Sequence, residues 1–229
     1  MTNPLDLDTL WRDTDTVMLD LDGTLLDLHY DNHFWFTLIP KFLAEKRQVS
    51  VEQARVLLEK KVSEYRGTLK WYCLEFWSEQ LDLDIIGIKK IETERIRPRA
   101  DALTFLANLK KTDKQIWLTT NSHPAGLDIK LSIIDIAGYF DCIISSHQFG
   151  FAKEHPQFWR SLYNKSAYRS DRTLFIDDSE PVLRAAKEHG IRYPVMVETP
   201  DSRKPRNKQQ SFHGIDRFTE LQLPTYEKV

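Results

Sequence analysis

The sequence predicts an α/β protein: a doubly wound parallel sheet that carries an inserted, all-helical domain. Two observations lead there. Short apolar runs recur near 17–21, 115–119, 142–145 and 173–176, and in the second half of the chain they alternate with helical patterns. Between the first two runs, residues 28–97 show helix signals and no strand signal. The expected division is therefore a core of residues 1–27 and 98–229 with a helical cap of residues 28–97.

Taken in order, Val17, Met18, Leu19 and Leu21 make the first buried strand, which ends in Asp20 and Asp22 followed by Gly23 and Thr24. Asp31 or Asn32 can cap a helix carrying Phe34, Trp35, Leu38 and Phe42, with Pro40 kinking it or ending its first part. Ser50 and Gln53 have capping-box spacing, and Ala54, Leu57, Leu58, Val62 and Tyr65 then repeat at helical intervals until Gly67. A further helix over 69–80 places Cys73, Leu74, Trp77 and Leu81 on one face, and a short one covers 87–94 before Pro98. Beyond it, helices over 102–109, 127–136, 156–163 and 182–188 alternate with strands over 116–119, 142–145 and 173–176. This is the rhythm of a Rossmann-like sheet. Residues 191–197 read as an edge strand, because Pro194 cannot donate to a central ladder. Residues 201–210, with Arg203, Lys204, Arg206 and Lys208 around Pro205, read as a solvated basic loop.

Composition excludes several classes. With 229 residues and 41% hydrophobic content the chain can bury a sizeable core, while a net charge of −2 gives no field to draw in a nucleic-acid polymer or an acidic membrane. No apolar run approaches the roughly 18 residues of a spanning helix. Residues 1–6 lack the basic and apolar regions of a secretory leader. Cys73 and Cys142 are too few for a disulfide framework and read as small buried hydrophobes in a reducing compartment, so a cytoplasmic location is expected.

The chemistry is concentrated at strand ends. Paired carboxylates repel and are costly to bury unless a cation or proton compensates them, so Asp20 and Asp22 at a strand terminus suggest a Mg²⁺-dependent phosphate site, with the amides of Gly23 and Thr24 facing an anion. An ordinary Asp-Gly turn is the alternative. Three later segments decide between them: Thr119, Thr120 and Asn121 end the second run, Lys153 follows a turn-like stretch, and Asp177 and Asp178 end the run over 173–176.

This four-part pattern, from Val17 to Val197, closely resembles the haloacid dehalogenase (HAD) superfamily. The resemblance implies Asp20 as the nucleophile that forms an aspartyl-phosphate, Asp22 as general acid and base, and Thr120, Asn121 and Lys153 as holders of the transferred phosphoryl group. It also implies Mg²⁺ held by Asp20, the carbonyl of Asp22, Asp178, and Asp177 directly or through water. Two departures stand out: Asp177 replaces the glycine common before the last acid, and Glu154 replaces the proline frequent after the lysine. A helical insert after the first strand is a C1-type cap in that superfamily. An acidic Asp22 argues against a dehalogenase, whose halide leaving group needs no proton.

At a finer level, the segments 20–27, 31–35, 71–81, 120–124 and 173–180 are similar to bacterial GMP/IMP 5′-nucleotidases. The expected partner is then a small phosphate ester, a purine nucleoside 5′-monophosphate first. Asn32, His33, Trp71 and Tyr72 are the candidate substrate-facing residues, Trp71 and Tyr72 because neighbouring aromatics cannot all share one buried face and aromatic faces stack nucleobases. His123 is read as a capping or surface histidine that could also approach phosphate or ribose. A phosphatase or phosphomutase for another ester, such as phosphoglycolate or a sugar phosphate, is the alternative. A non-catalytic phosphate sensor is the third reading, and it expects the loss of a catalytic group that this chain retains.

Overall fold

The computed structural model describes residues 5–166, 168–206 and 211–223. Lys208 of the expected basic loop lies outside them. Six parallel strands form one sheet in the order β3-β2-β1-β4-β5-β6: β1 Thr16–Leu19, β2 Gln115–Thr120, β3 Cys142–Ser145, β4 Thr173–Asp177, β5 Tyr193–Val197 and β6 His213–Ile215. Both faces are covered, so the central strands are apolar throughout rather than alternating. Val17, Leu19, Ile116, Leu118, Leu174 and Ile176 pack on one side, with Met18, Trp117 and Phe175 on the other. The covering helices are α1 Leu7–Asp13, α8 Ala102–Leu109, α9 Pro124–Ile133, α10 Pro156–Lys165 and α11 Glu180–Glu188.

One strand reading needs correction here. β5 is not an edge strand, because β6 pairs beyond it. That ladder begins at Val195, one residue after Pro194, so the missing N–H is not needed on that side. The short β6 and the opening helix α1 carry too few periodic residues to stand out in the sequence.

Between β1 and β2 the helices α2 His29–His33, α3 Ile39–Arg47, α4 Val51–Ser63, α5 Leu69–Tyr72, α6 Leu74–Leu81 and α7 Ile85–Lys89 enclose their own apolar cluster of Phe34, Leu38, Leu43, Ala54, Leu58, Trp77 and Ile85. Asp27, not Asp31 or Asn32, accepts the first helical amide, His29 N–H at 2.9 Å. The expected kink is a wide π turn over Phe34–Leu38, which gives the Pro40 ring room where a regular turn would clash with the preceding carbonyls. The Ser50–Gln53 capping box forms, with both reciprocal bonds present. The helix expected over 69–80 is interrupted: Cys73 is extended (φ −84°, ψ 112°), ends α5 and caps α6 through its sulfur. Cys73 and Cys142 are both half-buried rather than fully buried.

The chain leaves and re-enters the sheet layer at one place. Asp27 N–H donates to Arg97 O at 2.9 Å and Arg99 N–H to Leu25 O at 2.9 Å, with Leu26 and Pro98 bridged antiparallel between them. Arg99 also donates to the carbonyls of Thr199 and Asp216, which ties this stem to the C-terminal part of the sheet layer.

Candidate active site

The parallel ladder sets the C-terminal ends of three central strands side by side. Asp20 follows β1, Thr120 closes β2, and Asp177 closes β4 with Asp178 next. The chain winds from β1 outward through β2 and β3, then crosses to β4 on the other side, so the crevice between β1 and β4 is where the winding reverses.

Lys153 enters from the loop between β3 and α10, and its backbone is pinned twice. Its N–H donates to Asn121 Oδ1 at 2.8 Å, and its carbonyl accepts from the Trp159 indole at 2.7 Å. The buried ammonium donates to Asp20 Oδ1 at 2.5 Å, Asp177 Oδ2 at 2.7 Å and the Thr119 carbonyl at 2.9 Å, using all three protons. Burial alone would push this lysine down, but Asp177 and then Asp20 outweigh it and hold it above the ordinary lysine range. Asp20 is raised to about 6, by burial first and by Asp177, against the pull of Lys153.

One ammonium does not balance three acids. Burial, then Asp177 and Asp20, push Asp178 well above the usual carboxylate range, and among the described residues no cation pairs with it. A Cβ built on Gly23 would stand 2.4 Å from Asp178 Oδ2, and Gly23 has φ +88°, so glycine alone leaves this acid its place. An under-compensated group of hard oxygen donors fits a cation such as Mg²⁺.

Asp22 belongs to a second charge cluster. Lys130 Nζ lies 2.6 Å from Asp22 Oδ1, out of line for a hydrogen bond, and donates to Asp31 Oδ2 at 2.8 Å; Lys89 Nζ donates to Asp31 Oδ1 at 2.8 Å. Lys89 also sits over the Phe34 ring, 4.3 Å from its centroid. Burial raises Asp22 to about 6 despite Lys130, with Asp31 and Asp20 adding to the rise. Asp31 moves the other way: burial would raise it, but Lys130 and Lys89 together hold it below the usual carboxylate range.

These groups line the floor of a cavity of about 430 Å³ whose opposite wall comes from the helical insert: Trp35, Leu58, Val62, Trp71, Tyr72 and Trp77. That volume lies within the range of small-molecule sites. Asn32, Trp71, Tyr72, Thr120 and Asn121 all line it. Tyr72 donates to Glu154 at 2.6 Å and Asn121 Nδ2 to the other Glu154 oxygen at 2.9 Å, so the residue after Lys153 ties the insert to the β2 end. Asn32 donates to Asp201 at 2.6 Å.

Three expected site residues do not present the groups expected of them. His33 is 3.0 Å from Glu92 and does not reach the cavity. The Gly23 amide is used by the Leu26 carbonyl at 2.8 Å, so it does not face an anion. Thr24 is buried, its hydroxyl without a partner among the described residues. His123 does cap α9: its Nδ1 accepts the Ala125 amide, and its Nε2 meets Glu75 at 2.6 Å. Cys73, Glu75 and His123 lie close together, but an imidazole whose Nδ1 accepts keeps its proton on Nε2, which leaves no lone pair for a metal.

Lys130 and Lys89 were not singled out from the sequence, and Asp31 and Glu154 were named only as a possible helix cap and as a departure from the family pattern. Lys130 had a visible signal, since it falls three residues after Leu127 on the apolar face of α9, where an unpaired cation is not tolerated.

The model of haloacid dehalogenase-like hydrolases matches residues 14–190 of the chain. The chain belongs to that family. It is 39% identical over 211 residues to the GMP/IMP nucleotidase YrfG of Escherichia coli K12, a match that covers 92% of this chain and 95% of the relative. Among solved structures, an HAD phosphatase from Thermococcus onnurineus superposes with a TM-score of 0.77 at 19% identity, covering 91% of this chain and 96% of that one. The HAD-hydrolase YfnB of Bacillus subtilis superposes with a TM-score of 0.64 at 16% identity, covering 91% and 96%. These two share the fold. The protein is thus an HAD-type hydrolase, an α/β enzyme, and no helix among its described residues is long and apolar enough to cross a membrane.

Proposed function

We propose that this HAD hydrolase is a Mg²⁺-dependent phosphatase for purine nucleoside 5′-monophosphates of the GMP/IMP kind, and that residues 28–97 act as the cap over its core. The observation that carries this reading is the two-sided cavity. Asp20, Asp22, Thr120, Lys153 and Asp178 form one wall, and an aromatic, largely apolar surface from the insert forms the other. The relative at 39% identity, a GMP/IMP nucleotidase, supports the choice of ester.

Phosphoryl transfer needs a nucleophile, positive charge near the phosphoryl oxygens and a proton for the leaving group. Asp20 attacks phosphorus through a carboxylate oxygen as the ester P–O bond breaks, giving an aspartyl-phosphate. Asp22, raised to about 6 and so partly protonated near neutrality, gives its proton to the departing 5′-oxygen. The resulting carboxylate then takes a proton from water, which attacks the aspartyl-phosphate, releases inorganic phosphate and restores Asp20. Lys153 and Thr120 hold the phosphoryl group throughout. Asp20, Asp178 and the Asp22 carbonyl would hold Mg²⁺, which supplies further positive charge at the phosphoryl oxygens. Asp177, bound to Lys153 at 2.7 Å and to the Ser179 amide at 2.8 Å, is the acid that orients the lysine.

Phosphate release from GMP, IMP, AMP, phosphoglycolate and a hexose phosphate, each with Mg²⁺ and with EDTA, tests the proposal. Mg²⁺-dependent turnover led by GMP or IMP is the expected result. Turnover confined to phosphoglycolate or the sugar phosphate would keep the chemistry and discard the nucleotide.

A further inference from the structure

The cavity is also lined by Arg55, Leu58, Glu59 and Val62, at helical spacing along α4, and by Arg66, three residues past the end of that helix. Three of these five are charged, an unusual rim for a surface otherwise built of Trp, Leu and Val. Their states differ. Arg55 is occupied by Glu52 at 2.7 Å. Arg66 is held over the Trp71 ring, 5.5 Å from its centroid. Glu59 has no ionic or hydrogen-bond partner among the described residues, although it lines the same cavity as the catalytic acids. A carboxylate that lines one cavity with an arginine held over a tryptophan ring supplies an acceptor and a donor, the pair of groups needed to read the edge of a planar base.

We propose that Glu59, together with Arg66 of the same cavity, selects 6-oxopurines over 6-aminopurines; this rests on the nucleotide reading above. In guanine and hypoxanthine N1 carries a hydrogen that a carboxylate can accept, and O6 accepts from a guanidinium. In adenine N1 is an acceptor and the 6-position a donor, so Glu59 meets a lone pair and Arg66 meets an amino group. Both contacts reverse sign together. A site built to hydrogen-bond one partner rejects the analogue that leaves its polar groups unpaired far more strongly than a purely apolar slot can. The base stacks against Trp71 while its edge is read. Leu58 and Val62, between the charged residues on the same helix face, contribute contact without discriminating.

The test is the ratio of kcat/KM for GMP to that for AMP, together with IMP and N1-methyl-GMP, in the wild-type enzyme and in Glu59→Gln and Glu59→Lys. Glu59 is exposed and outside the apolar cluster, so both variants should fold, which thermal unfolding verifies. The wild type should favour GMP and IMP and should turn over N1-methyl-GMP at least about tenfold less well than GMP. Glu59→Gln should shrink the GMP:AMP ratio at least about tenfold, and Glu59→Lys should shrink it further. IMP should follow GMP, since the two share N1–H. An unchanged ratio in both variants would overturn the inference while leaving a nucleotidase standing. A wild-type enzyme inactive on every nucleoside monophosphate would overturn the reading beneath it, and the inference with it.

Discussion

Asp20 and Trp71 line the same cavity and are fixed by different physics. Asp20 follows a strand paired on both sides, its amide donates to the Ile176 carbonyl at 3.0 Å, and Lys153 clamps its carboxylate. Trp71 sits on a single helical turn that ends two residues later at an extended Cys73 and holds its place through helix packing and the Arg66 contact. The sheet layer fixes atoms through backbone ladders and charge pairs; the insert presents a surface. Under the proposed function, chemistry that needs fixed placement sits on the first, and shape recognition on the second.

The sharpest way to break this comparison is Asp20→Asn. Phosphate release should fall by at least about 10³-fold, with thermal unfolding little changed, because in the proposed mechanism the lost group is the nucleophile, and it carries a burial penalty in the fold. Next is Asp31→Asn, at the junction of the two regions. It strands the ammonium group of Lys89 and leaves Lys130 with Asp22 alone, and urea unfolding should show a loss of about 3–5 kcal/mol. A pair of neighbouring tryptophans then sharpens the contrast inside the insert. Trp77→Ala removes a fully buried ring and should cost about 3–5 kcal/mol. Trp71→Ala should cost no more than about 1 kcal/mol while raising the KM for GMP severalfold.

The effect of pH is smaller and has a definite sign. Asp20 and Asp22 are raised from 3.8 to about 6, so folding takes up protons between those values. Their contribution to stability is greatest below about 3.8 and is lost as pH rises through about 6. A cation bound by these acids must act in the opposite sense, so the thermal shift produced by Mg²⁺ should be larger at pH 7.5 than at pH 5. An equal shift at both values would mean that the ion binds elsewhere. The smallest effect is expected for Leu57→Ser on the exposed side of α4, within about 0.5 kcal/mol.

The same division explains what could be read without a structure. Asp20, Asp22 and Asp178 could be singled out because each sits in a short string next to an apolar run, and a strand end turns such strings into neighbours; Lys153, eight residues past β3, was named only through the order of the whole pattern. The insert gave up less. Ser50 and Gln53 declared their helix start because capping is local, but the break at Cys73 depends on a sulfur accepting the Phe76 amide, which periodicity does not encode. His33 was drawn toward the site by its neighbour Asn32, yet one helical step carries it to Glu92 instead. Asp31 looked like a cap in isolation; only the fold brings it between Lys89 and Lys130, residues 58 and 99 positions away. Edge strands were misjudged for the same reason, since β6 is three residues long and its partner cannot be inferred from its own composition.

The stem at Leu26 and Pro98 has a consequence for descent rather than for chemistry. Because the two crossing points are clipped to each other, whatever lies between them can be lengthened, replaced or grafted from another source without pulling the sheet apart. Such a graft would replace Asp31, one of the two carboxylates on the buried Lys130, and leave the other, Asp22, in place. A lineage could then change its ester by exchanging one contiguous piece of gene, and keep its reaction.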